Sequence, residues 1–173
     1  MIVKLFTTNY DNIYETYCLS ESSDQGYNVC KYYDTHLLND IRSTTRIIIK
    51  AHGCISDPTK LVLTKSSYFE ARRDYPQFYA ILDSLFLTST LLFVGCSLSD
   101  PDIQLVLENS NISAKTDHRH YSLMPSGTHY SLKKAILSTY NIELIEYPAR
   151  DHSLASVSLR ELCDMVIAHR LGG

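Results

Sequence analysis

Phe93-Val94-Gly95-Cys96-Ser97-Leu98-Ser99-Asp100-Pro101-Asp102-Ile103 is the stretch on which the fold turns. An apolar run, Leu91 to Val94, ends in glycine and serine; Asp100-Pro101 then sets an N-cap acceptor before a proline at the first helical position. The segment reads as strand, turn and helix, with the helix running through Gln104 and Val106 to about Glu108.

The same grammar recurs on either side. Ile2 to Thr7, Arg46 to Ala51 and Glu143 to Tyr147 are further short apolar runs, and His120 to Met124 is a weaker fifth. Runs apolar on both faces suit strands of a parallel sheet covered by helices on both sides. Ser67-Tyr68-Phe69-Glu70 matches a capping box. Ser131 is placed to open a helix through Ala135 to Tyr140, which Asn141 ends. A last helix, from about Leu154 to Arg170, repeats apolar residues at Leu159, Leu162, Met165 and Val166 and stops at Gly172-Gly173. Ser20 to Tyr27 reads as a loop and as the segment expected to move most. Strands alternating with helices imply a doubly wound α/β sheet, expected here as a single domain over residues 1–173.

Composition narrows the function classes. With 45% hydrophobic and 20% charged residues the chain is that of an ordinary globular protein. Its net charge of -3 and only two adjacent basic pairs, Arg72-Arg73 and Lys133-Lys134, offer no stripe to neutralise a phosphate backbone, so no direct nucleic-acid partner is expected. No apolar run reaches bilayer length and the start lacks a signal-peptide pattern, which reads as cytoplasmic with no membrane partner. The cysteines, Cys18, Cys30, Cys54, Cys96 and Cys163, contain no C-x-x-C pair. They read as free thiols, with no zinc or other metal, and Cys96 is expected as a small buried residue.

In an open parallel sheet ligands bind beyond the carboxyl ends of the strands. Here those ends are polar: Thr7-Thr8-Asn9-Tyr10-Asp11, His52-Gly53, Gly95 to Asp100, and Asp151-His152 shortly after the final strand. Each has a simpler role in turns and helix caps, but their joint placement on successive strand ends points to one crevice. Ser97 at a strand-to-helix turn also invites comparison with a nucleophile elbow, although Ser99 stands where that motif wants its last glycine.

Thr7-Thr8-Asn9-Tyr10-Asp11, Lys50-Ala51-His52-Gly53 and the Phe93 to Ile103 stretch resemble, in order and spacing, the motifs of the sirtuin-like domains of bacterial anti-phage defence proteins. Ile145-Glu146-Tyr147 with Asp151-His152-Ser153 looks similar to that family's end. The resemblance implies a Rossmann-like, mostly parallel sheet and hydrolysis of NAD, as substrate, to nicotinamide and ADP-ribose. By position, the family asparagine falls on Asn9 and its histidine on His52, implied as the catalytic pair. It implies Gly95 and Ser97 beside the nicotinamide ribose, Thr8, Asp11 and Asp100 in the NAD site, and Asp151 and His152 at the adenosine end. For Asp11 the turn role is favoured.

Two departures qualify this. The two C-x-x-C pairs of protein-deacylating sirtuins are absent, which favours hydrolysis over deacylation. The family's opening strand, glycine-rich turn and helix have no counterpart, and no G-x-G occurs anywhere. The domain is therefore expected to be incomplete at its N-terminal side, active only when completed by a missing segment or a complementing polypeptide. The alternatives are a catalytically inactive sensor of NAD or ADP-ribose, or a module for homo-oligomer formation.

Overall fold

The computed structural model describes residues 4–21, 27–113 and 118–172. They fall into two compact units, residues 1–82 and 83–173.

In the first unit β1 (Lys4–Thr7), β2 (Asn28–Lys31) and β3 (Ile47–Lys50) form a parallel sheet in the order β1-β3-β2. Lys4 pairs with Ile47 and Thr7 with Lys50 on one side of β3, and Asn28 and Lys31 pair with the same two residues on the other. The central strand is wholly buried, including its lysine. This is the doubly covered strand that the run Ile47-Ile48-Ile49 foretells. Around the sheet lie α1 (Ile13–Glu21), α2 (Leu37–Arg42), a 3-10 turn (Pro58–Lys60), α3 (Lys65–Asp74) and the start of α4 (Pro76–Thr88). Aromatic packing stands in for bulky aliphatics: Tyr32 meets Tyr75 edge-on at 5.1 Å and Phe78 at 6.3 Å, and Phe78 meets Tyr79 at 5.2 Å.

In the second unit β4 (Leu92–Val94), β5 (His120–Pro125) and β6 (Ile142–Tyr147) form another parallel sheet, with β5 central. α5 (Pro101–Ser113) buries Ile103, Val106 and Leu107. α6 (Tyr130–Tyr140) ends at Asn141 in the left-handed conformation, φ 54°, as the sequence predicts. α7 (Ser153–Leu171) closes the chain and buries no residue.

The α/β class and parallel pairing follow the sequence reading, and the differences are local. β2 has no counterpart among the apolar runs, because Asn28 and Lys31 bracket only two apolar residues. The weak fifth run is in fact the centre of its sheet, and α5 runs to Ser113 rather than to Glu108. The capping box of α3 sits three residues earlier than Ser67-Glu70. Thr64 Oγ1 accepts from the Ser67 N–H at 3.1 Å while Ser67 Oγ accepts from the Thr64 N–H at 2.9 Å. A serine hydroxyl thus serves where the motif wants a glutamate. α6 is capped by the His129 ring, which accepts from the Ser131 N–H at 3.2 Å, and not by Ser131 itself. All five cysteines are free, but Cys96 is only half-buried. The loop expected to move most lies largely outside the described residues.

Candidate functional site

In the first unit the polar residues after β1 and β3 are laced together. Beyond the paired strands the Ala51 N–H donates to the Thr7 carbonyl at 3.0 Å, and the Ile55 N–H donates to the Tyr10 carbonyl at 2.8 Å. Tyr10 Oη donates to the Val62 carbonyl at 2.8 Å, and the Val62 N–H donates to the His52 carbonyl at 3.0 Å. The Tyr10 and His52 rings lie 6.3 Å apart, inclined by 31°. His52, 9% exposed, is thus held from both sides of its loop, whereas Asn9, the neighbour of Tyr10, is open to solvent.

The turn carrying Asn9 is shaped by its own side chains. Thr7 Oγ1 accepts from the Asn9 N–H at 3.1 Å, and Asp11 Oδ1 accepts from the Ile13 N–H at 3.0 Å, opening α1. Asp11 therefore has the turn role favoured from sequence. Thr8 is half-buried between them.

Beneath this turn sits Lys50, fully buried. Its ammonium pairs with Glu15 Oε1 at 2.6 Å and donates to Asn12 Oδ1 at 3.0 Å, the Tyr10 carbonyl at 3.4 Å and the Asp11 carbonyl. One desolvated cation thus fixes three successive residues of the turn, and the Glu15 carboxylate balances its charge. Cys54, buried, adds to the network: its thiol donates to Asn12 Oδ1 at 2.9 Å and accepts from Ser56 Oγ at 3.1 Å. Burial pushes that thiol up, but hydrogen bonds from Ser56 and the Lys50 charge outweigh it and leave the pKa below the ordinary thiol value. Lys50 stands in the Lys50-Ala51-His52-Gly53 motif with no role assigned to it from sequence. The signal was a lone lysine closing a wholly apolar strand, a charge that must find partners.

Gly53, after His52, has φ +85°, and a Cβ there would stand 2.5 Å from the Lys60 carbonyl oxygen. Both backbone conformation and space demand glycine. A cavity of about 160 Å³ elsewhere in the unit, bordered by Tyr32, Lys60, Glu70, Asp74 and Tyr75, contains none of the sequence-predicted residues.

In the second unit the turn after β4 holds Gly95 at φ +64° with open space where a Cβ would be. Leu98 takes a left-handed φ of 57° while its side chain is buried, and Gln104 Nε2 donates to its carbonyl at 2.8 Å. A left-handed non-glycine residue costs about 1–2 kcal/mol, so packing and this bond hold it there. Ser97 is left exposed with its Oγ 2.5 Å from Ser99 Oγ. The strained residue is Leu98 and not Ser97, which argues against a nucleophile elbow. Asp100 opens α5, its carbonyl accepting from the Gln104 N–H at 3.0 Å.

Asp151 and His152 are exposed and locally engaged. Asp151 Oδ1 accepts from the Ser153 N–H at 3.1 Å and from the Ser153 hydroxyl at 2.5 Å, at the start of α7. The His152 ring nitrogen Nδ1 bonds Tyr147 Oη at 3.0 Å. The structure therefore brings the Asn9 and His52 loops together in one unit and the Gly95 to Asp100 turn together in the other. It gives Asp151 and His152 roles in opening a helix and packing its first turn.

A family profile described as SIR2-like domain matches residues 3–145, a span that includes Asn9, His52, Gly95, Ser97 and Asp100 and ends before Asp151. Among individual proteins, the chain is 32% identical over 124 residues to an NAD(+) hydrolase ThsA of Enterococcus faecium, covering 69% of this chain and 25% of that protein. It is 29% identical over 122 residues to the protein of that name from Bacillus cereus (strain MSX-D12), covering 69% and 25%. To defense-associated sirtuin 2 of Bacillus subtilis it is 28% identical over 109 residues, covering 60% and 10%. The chain thus spans about a quarter of the length of the ThsA relatives it matches.

Proposed function

From the membership of this chain in the SIR2-like domain family, we propose that it hydrolyses NAD to nicotinamide and ADP-ribose in anti-phage defence, with Asn9 and His52 at the glycosidic bond. The relatives' names, NAD(+) hydrolase and defense-associated sirtuin, support the reaction and its setting. The family match runs through both compact units, and on this reading both belong to one sirtuin-like domain.

The observation that carries the assignment is the lacing of the Asn9 turn to the His52 loop above buried Lys50. A preorganised pair is what this chemistry needs, because the ribose gains oxocarbenium character as the bond to nicotinamide lengthens. An uncharged amide at Asn9 holds a ribose hydroxyl or the water without a competing charge. His52 accepts the proton that water loses on attacking the ribose carbon, while nicotinamide leaves with the electron pair of the broken C–N bond. Thr8 and Asp11 shape the turn against NAD, Gly95 and Ser97 meet the nicotinamide ribose, and Asp100 lines the cofactor site. Asp151 and His152 border the adenosine end.

The sequence contains no G-x-G. On this reading the pyrophosphate is held by a segment other than these residues, supplied in the same or a complementing polypeptide, and full turnover depends on it. The reading is tested by nicotinamide release from NAD, measured on this chain alone and on the natural full-length protein. Release that is lost on substituting His52 supports it. Saturable NAD or ADP-ribose binding with no release in either form favours an inactive sensor.

A further inference from the structure

A second cluster of chemistry-bearing side chains lies in the first unit, formed by β2 and α2. Cys30 Sγ stands 3.1 Å from Asp40 Oδ2, and His36 Nε2 stands 3.4 Å from the same oxygen. The three donor atoms all lie within 4.8 Å of one another. We propose that Cys30, His36 and Asp40 bind a borderline-soft divalent cation of the zinc class.

The distances suit such an ion. Zinc binds sulfur at about 2.3 Å, imidazole nitrogen at about 2.0–2.1 Å and carboxylate oxygen at about 2.0–2.2 Å. At a tetrahedral angle those lengths give a sulfur-to-oxygen edge of about 3.5–3.7 Å and a nitrogen-to-oxygen edge of about 3.3–3.5 Å. The His36 to Asp40 separation, 3.4 Å, already lies in its range, and the Cys30 to Asp40 separation, 3.1 Å, is that of a thiol hydrogen bond and lengthens by about 0.4 Å when the ion replaces the proton. The third edge closes by rotation of His36, whose side chain is 59% exposed.

The support around the cluster is also that of a metal site. Cys30 is fully buried on a strand paired with the wholly buried β3, so the sulfur is rigidly placed. The Lys31 N–H donates to Asp34 Oδ2 at 2.8 Å, fixing the loop between Cys30 and His36. His36 and Asp40 are four residues apart at the start of α2, which puts them on one face. Asn28 Nδ2 donates to Asp40 Oδ1 at 3.3 Å, leaving Oδ2 to the sulfur and the imidazole, as outer-shell partners orient ligating carboxylates.

The donor set selects the ion. Calcium and magnesium take oxygen ligands almost exclusively, whereas one thiolate, one imidazole and one carboxylate suit zinc or cobalt. Three protein ligands leave the fourth position to water. On binding, the Cys30 S–H proton, now shared with Asp40, passes to solvent as the sulfur-to-metal bond forms. The ion ties β2 to α2. The expectation of no metal rests on the absence of C-x-x-C pairs, a spacing this cluster does not use, and the proposal is independent of the NAD reading.

The test is titration of the chelator-treated, reduced full chain with cobalt(II), read by the thiolate-to-cobalt charge-transfer band and the visible bands of tetrahedral cobalt. The expected result is saturation at one equivalent, displacement by zinc, and loss of the charge-transfer band in Cys30→Ser. His36→Ala, at an exposed position that spares the fold, weakens binding by at least about tenfold. Cys163→Ser, at an exposed cysteine outside the cluster, leaves the titration unchanged. A missing saturable band, or one that survives His36→Ala and Asp40→Asn unaltered, overturns the proposal. The readout is spectral, so either outcome leaves the assignment of Asn9 and His52 untouched.

Discussion

Replacing Lys50 by methionine keeps most of the side-chain volume and removes one charge from the floor of the Asn9 turn. In the native protein that ammonium is fully buried and serves Glu15, Asn12 and the carbonyls of Tyr10 and Asp11. The Glu15 side chain is itself only 12% exposed, so the substitution strands a carboxylate with little access to water. Breaking one side of a buried ion pair costs about 3–5 kcal/mol, a large share of the roughly 5–15 kcal/mol that holds a domain folded. With a urea slope of about 2 kcal/mol per molar, the unfolding midpoint falls by about 1.5–2.5 M. The chain has no tryptophan, so far-ultraviolet circular dichroism is the suitable probe. Lys50→Met combined with Glu15→Leu removes both charges and recovers much of the loss, because a buried pair is worth little against an apolar substitute. A single variant as stable as the native chain, or a double variant no better than the single, would refute the account of Lys50 as the charge that organises the turn.

Two further outcomes follow from particular geometry. Gly53→Ala and Gly95→Ala both place a side chain at positive φ, but only the first drives a Cβ to 2.5 Å from a backbone oxygen. Denaturant titration is expected to show about 1–2 kcal/mol lost at Gly95 and at least about 3 kcal/mol at Gly53; equal losses would contradict the close approach of Lys60. His120 is buried, and desolvation holds its pKa below the usual value of 6.5; its Nδ1 also accepts from the Leu91 N–H at 3.3 Å, which protonation forbids. The unfolded chain therefore takes up a proton before the folded one does. Stability is full above about pH 6.5 and declines as pH falls toward the lower folded value. A stability profile against pH in His120→Gln should lack that decline, and an unchanged profile would remove His120 as its source.

How much of this was legible in sequence depended on how local each feature is. β1, β3, β4 and β6 announce themselves as apolar runs, and Asp100-Pro101 and Asn141 mark helix ends through chemistry within a few residues. β2 escaped because its ends are polar, and the cap of α3 because Ser67 can serve either as a cap or as a cap's partner. The strand-end positions of Asn9 and His52 were readable, and so was the turn role of Asp11. The Lys50 network was not, since Asn12 and Glu15 stand 38 and 35 residues away and only the pairing of β1 with β3 brings them beneath the same turn. The Cys30, His36 and Asp40 cluster escaped for a related reason. Its residues match no C-x-x-C spacing and meet only when α2 folds back on β2.

The central claim is that Asn9 and His52 act on the bond to nicotinamide and do not merely shape the loops that carry them. Its most direct test pairs nicotinamide release with NAD affinity in His52→Ala and Asn9→Ala, using the natural full-length protein. The account predicts release slowed by about 10²- to 10⁴-fold in His52→Ala while NAD still binds, with Asn9→Ala impaired in the same sense. Release that continues at the native rate in both variants would contradict it.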